Sequence, residues 1–324
     1  MSVTIHTLTS LHSAYNLEKE KHSWKIGQNP DFSNLTPPTD DGIFFYSDQP
    51  KIVMRLPQSF YHCIYDFMGT IFHLYEIDPE ILFIIDTSMS DRNQYTAKTA
   101  KFCFEVLDYH NINYERIDLF GVHTVNLNNF YIRKHRGMDN NASNNVIKYF
   151  MPFIKNKDVE PFRKTFVSRR LATAVKQKYY GDALASKLSR KTYQRLDNEE
   201  KLEEFFISQG FEVICPEDFQ SLEDQINYFY EVKTIVSITG GGLTNMVFMQ
   251  NGGNVIELMT TLITNPSIGS KAPSGLEEGQ HHFYHSIAFR KNFSYFGIPN
   301  LDAKYDTLIT RIQQDGILKM LESR

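Results

Sequence analysis

Cysteine is scarce: Cys63, Cys103 and Cys215 are the only three in 324 residues, far apart and without C-x-x-C spacing. That leaves no disulfide framework and no structural zinc site to expect. Each sits in an apolar stretch and reads as a small buried hydrophobe. A basic excess is missing too. Lys and Arg number 34 against 38 Asp and Glu, for a net charge of −4, whereas a dedicated nucleic-acid binder carries a surplus of cations. Nucleic acid is therefore not an expected partner. Long hydrophobic runs are also lacking. Ile81–Ile85 is too short to cross a bilayer, and Met1–Glu20 has no apolar core of the signal-peptide kind. The expectation is a cytoplasmic protein, with peripheral contact to a membrane surface left open. Finally, no Asp-x-Asp occurs. The nearest pattern, Glu76-x-Asp78-x-Glu80, contains Pro79 and reads as a polar turn.

What is present is material for buried cores, with 41% hydrophobic and 14% aromatic residues. Residues 1 to 40 are polar, end in Thr36-Pro37-Pro38-Thr39-Asp40, and read as an irregular lead-in. Strands are expected at Gly42–Tyr46 and Ile52–Leu56, a helix from Phe60 to Tyr75, and a strand at Ile81–Ile85. A helix over Tyr95–Tyr109, short strands within Tyr114–Ile132 and a helix over Asn144–Lys155 follow. Beyond Pro161 the pattern becomes a strict alternation. Strands are expected at Thr165–Ser168, Phe211–Cys215, Thr234–Ile238 and Asn254–Leu258. Helical stretches lie at Ala172–Leu188, Asn198–Gln209, from Ser221 to Val232, and from Leu243, with a last one over Tyr305–Glu322. Ser221 and Asp224 resemble a capping box. Alternation of this kind predicts an α/β fold with helices covering parallel sheets. Two successive halves predict two α/β domains facing each other across a cleft, residues 1–158 and 159–300. Residues 301–324 form a C-terminal helix that returns to the first domain.

The densest chemical signal is Thr239-Gly240-Gly241-Gly242-Leu243-Thr244-Asn245, between a buried strand and a helix. Glycines let backbone N–H groups approach a ligand closely, and a helix N-terminus adds unpaired donors and a positive dipole end. Together they suit a phosphate or pyrophosphate, at the strand end where open α/β sheets bind ligands. The spacing is not that of a Walker loop, and it departs from G-x-G-x-x-G at Asn245. Glu257 ends the next strand, where a dinucleotide fold keeps its ribose-binding acid. Ser168-Arg169-Arg170 ends an earlier strand at the same sheet edge, and Arg195 precedes a helix. The planar fork of arginine donates two hydrogen bonds at once, which matches a diphosphate.

These segments together resemble glycosyltransferase family 61. The resemblance rests on Ser168-Arg169-Arg170, Arg195-Leu196-Asp197-Asn198-Glu199, Gln225, Gly240-Gly241-Gly242-Leu243-Thr244-Asn245 and Val255-Ile256-Glu257-Leu258. It is specific over residues 160 to 260, with an echo at Phe60-Tyr61-His62 and Asp66. Thr239 stands where the family usually has histidine, and Gly241 where it usually has alanine.

The resemblance implies a GT-B-like fold of two Rossmann-like domains, the donor held by the C-terminal one and the acceptor by the N-terminal one. It implies inverting transfer from a nucleoside-diphosphate sugar, usually UDP-linked, to a hydroxyl of an oligosaccharide or lipid-linked glycan. Arg169, Arg195 and the segment Thr239–Asn245 would hold the donor, and Glu257 its ribose. His62, with Asp66 one helical turn away, would be the base that takes the acceptor proton. With no Asp-x-Asp, the reaction is expected to need neither metal nor cofactor beyond the nucleotide sugar. Three rival readings use the same residues: an NAD-type oxidoreductase, an inactive nucleotide-sugar binder with Thr239 as the lesion, and a scaffold in polysaccharide assembly. His281, His282 and His285 read as part of a polar surface loop.

Overall fold

The computed structural model describes residues 3–6, 43–45, 49, 51–57, 60–87, 94–117, 124–127, 142–170, 199–259, 281–299 and single positions between 309 and 319. The chain divides into two compact units, Met1–Tyr149 and Phe150–Arg324, a division that falls ahead of the boundary expected at 158/159.

The first unit begins with β1 (Val3–His6), β2 (Ile43–Phe45) and β3 (Lys51–Arg55). A π-helix over His62–Met68 runs directly into α1 (Gly69–Ile77). Then come β4 (Leu82–Asp86), α2 (Gln94–Tyr109), β5 (Tyr114–Ile117), β6 (Thr124–Leu127) and α3 (Ala142–Phe150). Strands β3, β4 and β5 form a parallel sheet in that order. The apolar run of β4 is buried at Phe83, Ile84 and Ile85, as expected of a parallel strand covered on both faces. A second sheet has the order β1-β6-β2, with β1 antiparallel to β6 and β2 parallel to it. Strand β1 corrects the reading of the first forty residues as an irregular lead-in. Val3-Thr4-Ile5 has β-branched residues, but four residues carry little signal until a distant partner pairs with them.

The second unit contains β7 (Arg163–Val167), α4 (Glu199–Ser208), β8 (Glu212–Ile214), α5 (Leu222–Tyr230) and β9 (Val232–Ile238). A 3-10 helix over Gly241–Phe248, β10 (Asn254–Met259), α6 (His281–Arg290) and β11 (Ser294–Pro299) follow. The cap of α5 is the expected one: Ser221 Oγ accepts from the Asp224 N–H at 3.0 Å and donates to Asp224 Oδ2 at 2.7 Å. Helix α6 and strand β11 correct the polar-loop reading of the histidine-rich segment. The helical stretch expected at Ala172–Leu188 lies outside the described residues.

All five strands of this unit are parallel, in the order β11-β10-β9-β7-β8. Counted from the N-terminus of the unit, that is second, first, third, fourth, fifth: the flavodoxin-like doubly wound order, whose ligand crevice opens between the first and third strands. Those are β7 and β9. The core beneath is built from Phe166 on β7, Val236 and Ile238 on β9, Ile256 and Leu258 on β10, and Leu202 and Phe206 on α4. Phe166 stacks on Phe206 with ring centroids 4.8 Å apart, and full burial of such a ring is worth roughly 1.5–3 kcal/mol. The tail, expected to return to the first domain, contributes Ile309, Ile312 and Leu318 to this second core. Among the described residues no helix is long and apolar enough to cross a membrane.

Candidate active site

The carboxyl ends of β7 and β9 meet at the switch point, and the two motifs singled out from the sequence are the residues that leave those ends. Chain Ser168-Arg169-Arg170 exits β7, and Thr239-Gly240-Gly241-Gly242 exits β9. Arg169 Nη1 donates to the Thr239 carbonyl at 3.2 Å, so the arginine reaches the glycine turn directly. Burial lowers the Arg169 guanidinium pKa from its ordinary value, against the opposing pull of Tyr284, Glu199 and Glu217. No carboxylate among the described residues forms an ion pair with it. Its main chain is anchored separately, since the Arg169 N–H donates to Glu199 Oε1 at 2.6 Å. Arg170 goes the other way. Its Nη1 pairs with Glu203 Oε2 at 3.3 Å, while Ser168 Oγ donates to Glu203 Oε1 at 2.6 Å. The two consecutive arginines thus divide into one that faces the turn and one that ties β7 to α4.

The three glycines have different reasons. Gly240 has φ 144° and ψ −168°, a region that L side chains rarely enter. Gly242 has no room: a Cβ there would lie 2.9 Å from both Ser237 Oγ and Val167 Cγ1. Gly241 is different, because a Cβ would meet nothing within 4 Å. Fold and packing account for the outer two, and the middle one borders open space.

Three carbonyls of the turn are held by the protein, while among the amides of residues 239–242 only that of Thr239, which donates to the Leu258 carbonyl at 3.0 Å, finds a backbone acceptor among the described residues. Thr239 O takes Arg169, Gly240 O takes the Tyr284 hydroxyl at 2.6 Å and the Leu243 N–H at 2.9 Å, and Gly242 O takes Asn245 Nδ2 at 2.9 Å. The N–H groups of Gly240, Gly241 and Gly242 find no backbone acceptor among the described residues. Because Gly240 is nearly extended, successive peptide units point to opposite sides. The Gly241 N–H therefore faces the side on which the Arg169 guanidinium lies.

Behind the turn lies a buried polar layer. Thr239 Oγ1 donates to Glu257 Oε1 at 2.6 Å, and Tyr295 Oη donates to Glu257 Oε2 at 2.5 Å. Burial pushes the Glu257 carboxyl pKa up, and the two hydroxyls pull it back. The ribose role expected of Glu257 thus meets a carboxylate with 0% exposure whose oxygens both serve the fold. Asn245 is likewise buried, its Oδ1 accepting from Gln225 Nε2 at 2.6 Å. Leu243 packs in the core, and Thr244 Oγ1 is buried without a partner among the described residues. Such orphaned groups are rare in folded proteins.

His62 is exposed at the start of the π-helix in the first unit. Asp66 belongs to the same helix; its side chain lies outside the described residues. The ladder of a π-helix runs from i to i+5, so the residue one step from His62 is Phe67, and Asp66 stops one residue short. Arg195 lies outside the described residues. The Glu76-Asp78-Glu80 segment is the expected turn, with the Glu80 N–H donating to Asp78 Oδ1 at 3.0 Å and Glu76 paired with Lys148. Two participants escaped the sequence reading, Tyr284 and Tyr295. The one available sign was the helical spacing of Tyr284, Ile287 and Ala288, all buried.

A family model described as Glycosyltransferase 61 matches residues 60–256. The chain belongs to glycosyltransferase family 61. The family-61 match runs from the residue that opens the helical segment of His62 to β10, and so takes in both Arg169 and the glycine turn. Membership makes the chain a glycosyltransferase and implies a nucleotide-sugar donor and a glycan acceptor. No curated protein matches the sequence. Tyr284 and Tyr295 lie beyond the family-61 match.

Proposed function

We propose that this chain is an inverting, metal-independent transferase that moves a hexosyl or pentosyl group from a UDP-linked donor to a hydroxyl of an oligosaccharide or lipid-linked glycan. The observation that carries the reading is Arg169: a partly buried guanidinium that reaches the Thr239 carbonyl and forms no ion pair with a carboxylate among the described residues, at the switch point, on the side to which the Gly241 amide points. A partly buried cation with no direct ion pair favours an anionic ligand, and a diphosphate supplies negative charge at both of its phosphoryl groups. The division of labour is that of GT-B enzymes, with the donor on the second unit and the acceptor on the first.

Inverting transfer makes two demands. The acceptor hydroxyl must lose its proton as it attacks the anomeric carbon, and the departing diphosphate must be stabilised as negative charge builds on it. His62 is assigned the first task, with Asp66 as its neighbour. Arg169, Arg195 and the free amides of the turn are assigned the second. A helix terminus contributes only about 0.3–1 kcal/mol at an exposed site and up to about 2 kcal/mol when partly buried, so the arginines carry most of it. Thr239 takes part through its carbonyl, because its hydroxyl is committed to Glu257.

Calorimetric titration with UDP, UDP-sugars and NAD, each with and without EDTA, tests the reading. UDP is expected to bind equally well in both buffers and to add about 2.7 kcal/mol of stability at one hundred times its Kd. Binding of NAD in place of UDP would transfer the site to the oxidoreductase reading.

A further inference from the structure

We propose that Tyr284 is a positioning residue of the donor site: its hydroxyl fixes the direction of the Gly241 amide, and through it the affinity for a nucleoside diphosphate. The role given to the amide rests on the function proposed above; the placement of the hydroxyl does not.

In a trans peptide the carbonyl of one residue and the N–H of the next point in opposite directions, and the described chain has no cis bonds. The Gly240 carbonyl and the Gly241 N–H belong to one such rigid plane. Tyr284 Oη donates to that carbonyl at 2.6 Å from a phenol that is only 4% exposed. Holding the carbonyl on the tyrosine side turns the Gly241 N–H to the opposite side of the plane, at a residue whose surroundings are open, since a Cβ there would meet nothing within 4 Å. The plane needs such a hold. Gly240 and Gly241 lack side chains, so both flanking dihedrals are soft, and the Leu243 N–H pins the same oxygen only from within the turn. Tyr284 comes instead from α6, which packs on the 3-10 helix.

Arg169 does the corresponding work one plane earlier, on the Thr239 carbonyl. Two side chains from β7 and α6 therefore set two successive peptide planes of one loop. Buried carbonyls need partners in any loop, but a loop without a ligand has no need for each plane to keep one direction. A loop that must present a donor to an anion does, because a flipped plane would offer it a carbonyl oxygen.

The test is Tyr284→Phe in the full chain, which keeps the ring and its packing. Two readouts are taken: UDP titration with donor KM and kcat, and the Gly241 amide resonance of ligand-free, glycine-labelled protein. The UDP Kd and the donor KM are expected to rise together by roughly threefold to tenfold, the range to which one neutral hydrogen bond corresponds. The kcat should stay within about twofold, and the Gly241 amide should shift or broaden. A variant with unchanged UDP Kd and an unchanged Gly241 resonance overturns the proposal, even if its Tm falls, since that would make Tyr284 a packing residue only. Wild-type protein that binds no nucleoside diphosphate would refute the function instead, and the amide resonance would still report whether the hydroxyl holds the turn.

Discussion

The two edges of the second sheet are both polar, and they solve the problem of polarity differently. At the amino edge Arg163 Nη1 donates to Glu212 Oε1 at 2.8 Å and Nε to Glu231 Oε2 at 2.8 Å. All three side chains stay partly exposed, at 26%, 47% and 27%. Cation meets anion there, and all three side chains keep access to solvent. At the carboxyl edge Ser168, Gln225, Thr239, Asn245 and Glu257 are all buried. Their hydrogen bonds run inward, to one another and to main-chain carbonyls, and on the outward side the Arg169 guanidinium has no ion pair, and the N–H groups of Gly240–Gly242 no backbone acceptor, among the described residues. An edge whose polar groups satisfy each other supports structure. An edge satisfied on one side only is waiting for a partner.

The comparison is broken most directly at Arg169. Arg169→Ala is expected to lower kcat by roughly 100- to 1000-fold, the scale of removing one preorganised donor to a developing anion, while Tm holds or rises because a desolvated charge is gone. A transfer assay with a melting curve reads both, and near-normal turnover would return Arg169 to the structural side. Next come the glycines. Gly241→Val points a side chain into open space, so the fold should survive and UDP binding should be lost. Gly242→Ala drives a methyl into Val167 and Ser237 and should cost about 1–3 kcal/mol in denaturant unfolding. Equal effects at the two positions would erase the distinction between a packed glycine and an open one.

Two buried ionisable groups sharpen the contrast through pH. Burial pushes the Lys291 ammonium, at the amino edge of β11, down to about 8. Its folded pKa is below the unfolded value of about 10.4, so the unfolded chain binds more protons between them and stability climbs as pH rises through that window. Lys291→Met should be more stable at pH 7 and flat over the same range. Glu257 is shifted the opposite way. Its folded form holds its proton longer, so stability falls as pH rises above the ordinary carboxylate value of about 4.3. Glu257→Gln should reduce that slope without abolishing it, because burial also raises Glu199. The smallest effect is expected from Arg163→Met, about 0.2–1 kcal/mol for a half-exposed ion pair, with unchanged KM and kcat.

Much of the second unit was legible because its strands are short β-branched runs between breakers, and because parallel strands bring all carboxyl ends to one edge. That rule alone placed Arg169 beside Thr239, seventy residues away. The direction of Glu257 was not legible. Whether an acid at a strand end points to a ligand or to the core depends on hydroxyls 18 and 38 residues distant, and a linear reading cannot see them. Helix α6 was hidden by its own histidines, whose polarity outweighed the apolar spacing of Tyr284, Ile287 and Ala288. In the first unit the helix around His62 was expected, but a wider turn looks like ordinary helical spacing with a slight drift.

That wider turn has a consequence for how the first unit tolerates change. A π-helical stretch is an α-helix carrying a surplus residue, and each α-helical residue turns the axis by about 100°. Deleting one position between Cys63 and Met68 would restore the tighter ladder, leave the residue now at 67 one step from His62, and so keep both α1 and the imidazole of His62 close to their present directions. The surplus residue is thus a position where the chain can shorten by one without re-aiming His62.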